Sequence, residues 1–178
     1  MKKFLIVPLT CFLIVGCSSQ NQAEQKPMPS IGAFDPGTLL VTEIPDSGLT
    51  GQVLYMPVYS NIPYHIVGVT EFDMSALVAV HNTDLFSQIR ITKALYFDTK
   101  GKPVYDFLKD GEVMLKPLET RDFYIPYEDK SGTGANILIE WVSEVRVTEP
   151  LIESVTISLK PNQSVTFLSR GKVIRERR

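Results

Sequence analysis

Few residues in this chain can do chemistry, and they are widely spaced. His65 and His81 are its two histidines, Cys11 and Cys17 its two cysteines. Nucleophilic catalysis needs a serine or cysteine beside a histidine that an acid orients. Ser75, Ser131 or Ser143 can be matched on paper with His81 and Asp84, but no Gly-x-Ser-x-Gly elbow presents any of them. Acids for sugar hydrolysis can be sought among Asp84, Asp98, Glu119, Asp122 and Glu140, which scatter over turns and polar strand faces, where acids are usually solvated. Two histidines do not make a zinc site, and no Asp-x-Asp-x-Asp-Gly loop is present for calcium. The expectation is a chain without metal or cofactor that binds rather than catalyses. The alternative is a small hydrolase using His81 and a carboxylate.

The stretch SGTGAN, residues 131–136, is the second candidate. A phosphate cradle places its glycines between a strand and a helix, whose N-terminus supplies free amides. Here Gly132 and Gly134 lead into ILIEWV, an alternating β-branched run that reads as a strand. The loop therefore reads as a tight turn in which Asn136 bonds local backbone, with a small anion nest as the functional alternative for Ser131, Gly132, Gly134 and Asn136.

Asn82 and Asp84, in the sequence Asn-Thr-Asp, close a strand, where such side chains most often satisfy loop amides; ligand contact is the other reading. Tyr55, Tyr59 and Tyr64 lie among Pro57 and Pro63 in YMPVYSNIPYHI. Proline offers no amide to a ladder, so this stretch reads as an edge strand that either protects a sheet or offers tyrosines to a peptide or glycan. Arg170, Lys172, Arg175, Arg177 and Arg178 make the C-terminal segment basic, as a solvated end strand or a patch for anionic lipid or cell-wall polymer.

These candidates need a scaffold, and its address is written in the first residues. Lys2 and Lys3 precede an apolar run, Phe4 to Val15, too short to span a bilayer, and Gly16-Cys17-Ser18 follow. Residues 1–16 thus read as a lipoprotein signal peptide, and the site resembles the bacterial lipobox. Cys17 becomes the lipid-bearing N-terminus, its thiol carrying a diacylglycerol and its amine commonly a third, palmitate-like acyl chain; several acyl chains anchor where one does not. The expected location is the bacterial cell envelope, on the outer membrane facing the periplasm if the cell is Gram-negative.

Loss of residues 1–16 takes away two lysines and no acid, moving the formal charge from −2 to −4, which argues against nucleic acid as a partner. Cys11 leaves with them, so no internal disulfide is available. The expected partners are the membrane, through the anchor, and an envelope protein or cell-wall component; the oligomeric state is left open.

Residues 17–38 are polar, contain proline and lack apolar periodicity, so they read as a flexible tether, with one domain over 39–178. Within it the apolar residues alternate with period two. Phe72, Met74, Ala76, Val78 and Val80 share a face, as do Ile89, Ile91, Leu95 and Phe97, with Lys93 the single break. Ile137, Ile139 and Trp141 alternate with Asn136 and Glu140, and Val155, Ile157 and Leu159 with Ser154, Thr156 and Ser158. Turns are expected at DTKGK (98–102), LKPLET (115–120) and KPNQS (160–164), and a final hairpin at SRGK (169–172). Seven to nine antiparallel strands at this spacing predict an all-β immunoglobulin-like sandwich, with Trp141 between its sheets; a small β-barrel is the alternative.

YMPVYSNI, VAVHNTD, ITKALYFDTKGKPV, LKPLETRDFYIP, SGTGANILIEW, PLIESVTI and TFLSRGKVI occur in that order. Together they resemble the bacterial domain of unknown function 3124 over residues 53 to 174. The resemblance implies an exported protein or lipoprotein and no reaction.

Overall fold

The computed structural model describes residues 32–39, 49–65, 70–160 and 163–177. The signal peptide, Cys17 and the tether as far as residue 31 lie outside the described residues. Among the described residues a 3-10 turn, Pro36–Thr38, precedes the strands, which are β1 (Thr50–Pro57), β2 (Asn61–His65), β3 (Thr70–Asp73), β4 (Ser75–His81), β5 (Ile89–Phe97), β6 (Pro103–Asp106), β7 (Val113–Leu115), β8 (Thr120–Ile125), β9 (Asn136–Ser143), β10 (Leu151–Lys160), β11 (Gln163–Arg170) and β12 (Lys172–Arg177). They exceed the expected number because β2, β3, β6 and β7 have only three to five residues each, too short to show an alternation.

All pairings are antiparallel. One sheet runs β12-β1-β9-β5-β6, with β7 also on β5; the second runs β11-β10-β4-β8; β2 and β3 form a separate hairpin. The sheets pack sandwich-like over a core that includes Met56, Val78, Ile89, Tyr96, Phe123, Ile139 and Trp141. Alternation supplies one buried face per sheet, and Trp141 is buried there as its strand pattern implied. The DTKGK turn joins β5 to β6 with Gly101 at φ +74°, the left-handed conformation its hairpin loop needs.

Four expectations about faces and connections change. The first concerns β5, where the pairing with β9 shifts register between Ile91 and Lys93. The extra residue reverses the phase: Ile89 and Ile91 face the intersheet core, followed by Ala94 and Tyr96, while Leu95 and Phe97 fall on the opposite face. Second, β10 is inverted relative to its apolar pattern. Ser154, Thr156 and Ser158 are buried, and Val155 and Leu159 are exposed. Small side chains fit where the neighbouring chain comes close, as the 3.5 Å contact from Ser154 Oγ to the Pro57 carbonyl shows. Third, SRGK is no hairpin. β11 and β12 belong to different sheets, and Gly171 hands the chain across, its amide donating to the Ile152 carbonyl at 3.2 Å.

Finally, the outer face of the first sheet is covered. Phe34 meets Phe97 edge-on, with ring centroids 5.6 Å apart, and Leu39 packs with Val53, Leu95 and Leu138. The docked part of the chain therefore begins inside the segment expected to be tether. Glu140, expected on a solvated face, is fully buried on this side and accepts a 2.6 Å hydrogen bond from Thr92 Oγ1.

Candidate functional site

The residues with the most directed chemistry gather three loops at one end of the sandwich. Asn82 directly follows β4 and is buried. Its amide nitrogen donates to the carbonyls of Ser87 (2.9 Å), Leu115 (3.1 Å) and Lys116 (3.0 Å), and its Oδ1 accepts from the Asp84 amide at 3.1 Å. Its own backbone pairs with Leu118 and Glu119. Thr83 Oγ1 donates to the Glu149 carbonyl at 2.7 Å. Asp84 accepts from the amides of Phe86 (2.9 Å), Ser87 (2.8 Å) and Thr148 (2.8 Å). These amide bonds, Thr148's foremost, hold the Asp84 carboxyl below the ordinary aspartate range.

Asn-Thr-Asp thus ties the β4–β5 loop to the β7–β8 corner and the β9–β10 loop. Asn82 is no surface residue, and the polar atoms of Asp84 are spent inside the chain: both act as positioning residues.

The tied loops present apolar tips. Phe86 is 89% exposed, and Leu85, Leu118 and Val145 are exposed beside it in the same three loops. Leu118 is held at φ +63°, the left-handed region a branched aliphatic residue avoids. Beneath Phe86 lies an opening of about 280 Å³ lined also by Arg90, Met114, Ser143 and Val145, with Arg90 paired to Glu112 at 2.8 Å. On the other side of the β9–β10 loop a cleft of about 510 Å³ is lined by Gln52, Trp141, Arg146, Glu149, Glu176 and Arg177. The Trp141 indole N–H, buried at this end, has no hydrogen-bond partner. Sequence reasoning missed the tips; the signal was an apolar pair, Leu85-Phe86, directly after a loop-forming Asn-Thr-Asp.

The glycine loop at the far end of β9 is tied down just as fully. The Ser131 amide and hydroxyl both bond Asp129, at 3.0 and 2.9 Å, and Asp129 also accepts a 2.7 Å bond from the buried Tyr96 hydroxyl. Burial foremost, with the carboxylate beside it, pushes the Tyr96 phenol above its ordinary range. Gly132 N donates to Ser60 Oγ at 2.7 Å, Gly134 N to Thr99 Oγ1 at 3.0 Å and Ala135 N to the Gly132 carbonyl at 3.3 Å. The amides of Ser131, Gly132 and Gly134 are thus spent inside the chain and are not offered to an anion. Gly132 has φ +98°, and a Cβ there would stand 2.5 Å from Thr99 Oγ1, so the glycine serves close packing. Asn136 continues into β9, in register with Pro57 and Phe97.

A model of the family described as proteins of unknown function, DUF3124, matches residues 51–174, well over half of the chain. The chain belongs to this family. The DUF3124 span runs from β1 into β12 and includes both loop systems just described. No curated protein matches the chain. A solved structure, described as the crystal structure of Thermotoga maritima 1070, is similar at a TM-score of 0.44 and 12% identity, covering 71% of this chain and 97% of that one.

Within this DUF3124 domain the three tyrosines do not form one edge. β1 is flanked by both β9 and β12, so Tyr55 lies on an interior strand. Tyr59 is half-buried, edge-on to Phe167 with centroids 5.3 Å apart, and Tyr64 stacks 4.2 Å from Phe72 in the β2–β3 hairpin. The edge-strand expectation fails for β1, where Pro57 falls at the last position and its missing amide costs no interior pairing, and holds for β2, which carries Pro63 and Tyr64 and, among the described residues, pairs with β3 alone. His81 Nδ1 lies 2.8 Å from Thr120 Oγ1 on the neighbouring strand. Among the described residues no three of His, Cys, Asp and Glu form a group able to hold a metal.

Proposed function

We propose that this DUF3124 chain is a lipid-anchored protein of the bacterial envelope that acts as a non-catalytic interaction module, gripping an envelope protein with the loop end of its sandwich. One observation carries the reading. Asn82, Thr83 and Asp84 spend their polar atoms fixing three loops, whose exposed tips are Leu85, Phe86, Leu118 and Val145. Fixing loops in advance lowers the entropic cost of binding, and exposed apolar side chains on a fixed frame are what a protein surface can cover. An immunoglobulin-like arrangement is the finer form of this proposal, because such sandwiches present their contacts on end loops. The membrane enters through Cys17 and its acyl chains, which put the module on the outer membrane, facing the periplasm, in a Gram-negative cell.

The test is a photo-crosslinking residue at Phe86 in the full chain, in intact cells, with the same residue at Tyr64 as the comparison. A discrete protein adduct from position 86, absent from position 64 and lost in Cys17→Ala, is expected. Absence of any adduct at 86 while Cys17 still takes up labelled palmitate would sink the reading.

A further inference from the structure

The outer face of the four-stranded sheet carries an apolar row from one edge to the other. Leu77 on β4 stands opposite Tyr124 on β8 and Val155 on β10, and Val155 opposite Leu168 on β11. All four are between 40% and 53% exposed, while their neighbours along the strands, such as Val78, Phe123 and Thr156, are buried. At about 4.8 Å per strand the row is roughly 15 Å long. Ile157 and Leu159 extend the same face along β10. Solvated sheet faces usually carry polar residues in such positions, so this row calls for a cover.

The row beside it indicates which cover fits. Asp122 on β8 pairs with Ala79 on β4, Ala79 with Glu153 on β10, and Glu153 with Arg170 on β11. An acid therefore sits at one edge and a base at the other, on the same level. Consider two copies face to face about a two-fold axis running along the strands between β4 and β10. β8 of one copy then lies over β11 of the other, and β4 over β10. Leu77 meets Val155, Tyr124 meets Leu168, and Asp122 meets Arg170 twice, once on each side of the axis. An axis across the strands instead lays Glu153 over Ile157, carboxylate on apolar surface, which is costly.

We propose that a second copy of this chain covers the face, in a two-fold sheet-on-sheet dimer with Asp122 opposite Arg170. The arrangement is isologous, as closed dimers require, and aligned sheet packing keeps the strand directions within about 30°. It leaves the loop end free, so the proposal stands apart from the reading of Phe86.

The test uses two differently tagged full-length copies made in one cell, one with Asp122→Cys and the other with Arg170→Cys, oxidised in intact cells. The expected result is a dual-tag band at about twice the mass of the processed monomer on a non-reducing gel, at least tenfold stronger than from the 122/122 or 170/170 pairings, which carry the same Cys17 background. Leu77→Asp in both copies should reduce it at least tenfold, with the urea midpoint unchanged when measured at a dilution where the parent is monomeric, since Leu77 is exposed in the single chain. A mixed pairing no stronger than the 122/122 control, a band indifferent to Leu77→Asp, or a crosslink from position 122 to a different protein each overturns the proposal.

Discussion

Asn82 shows how much a single amide can hold. Replacing it by alanine leaves the carbonyls of Ser87, Leu115 and Lys116 without their donor in a half-buried setting, and we expect a loss of about 2–4 kcal/mol in urea unfolding. Asp84 adds a pH signature. Its pKa is lowered in the folded chain, so its contribution is complete above the unfolded aspartate value and disappears as pH falls through the folded one. The urea midpoint should therefore decline below about pH 4, and Asp84→Asn should flatten that acid limb. That these side chains satisfy loop backbone was legible in Asn-Thr-Asp, because the bonds from Asp84 to Phe86 and Ser87 are local. The bonds to Leu115 and Thr148 were not, since nothing in the sequence fixes which distant loop comes near. The same holds for Gly132: a turn glycine was readable, its contact with Thr99 was not.

At the scale of elements, alternation was a sound guide to strands and a poor one to faces. In β4 the alternating set Ala76, Val78 and Val80 is the buried set, because the strand lies in a sheet interior and pairs on both sides without a register shift; in β9 Ile137, Ile139 and Trp141 are buried as read, but so are Leu138, Glu140 and Val142 on the other face. In β5 the single misfit, Lys93, was the visible trace of a bulge that turns half the strand over. In β10 the pattern misled because both faces carry β-branched residues, and the close contact with β1 admits only small ones. Thr156 Oγ1 and Ser158 Oγ are buried there with no partner. Thr156→Val, which keeps the shape and removes the orphan hydroxyl, should stabilise the domain by about 1 kcal/mol, and Ser158→Ala should act in the same direction. Chemical denaturation at constant m-value checks both; a loss of stability in either would show that the hydroxyl has a role in the core. Gly132→Ala should cost about 1–3 kcal/mol, because a Cβ is strained at φ +98° and collides with Thr99.

For the molecule as a whole, the docked segment from Phe34 to Leu39 enlarges the domain beyond what its composition indicated. Among the residues of the expected tether, Phe34 was a lone aromatic in a polar stretch, and its destination on Phe97 depends on a sheet face that period-two counting left to solvent. Phe34→Ala should lower stability by about 1–2 kcal/mol and raise hydrogen exchange in β5 around Leu95 and Phe97, while exchange in β4 stays unchanged. A uniform rise across both sheets would mean that the segment supports the whole fold and not one face of it.

One further consequence lies in the position of β1. It is hydrogen-bonded on one side to residues 136–143 and on the other to residues 172–177, and among the described residues it pairs with no strand next to it in sequence. Ordering so distant a pairing costs loop-closure entropy before any contact repays it, and non-local sheets form slowly for that reason. A nascent chain therefore has nowhere to seat β1 until most of its length has been made. For a polypeptide routed out of the cytoplasm by its first sixteen residues, as we propose, such lateness is an advantage. On that proposal the chain would stay a thread while it is exported and fold where it arrives.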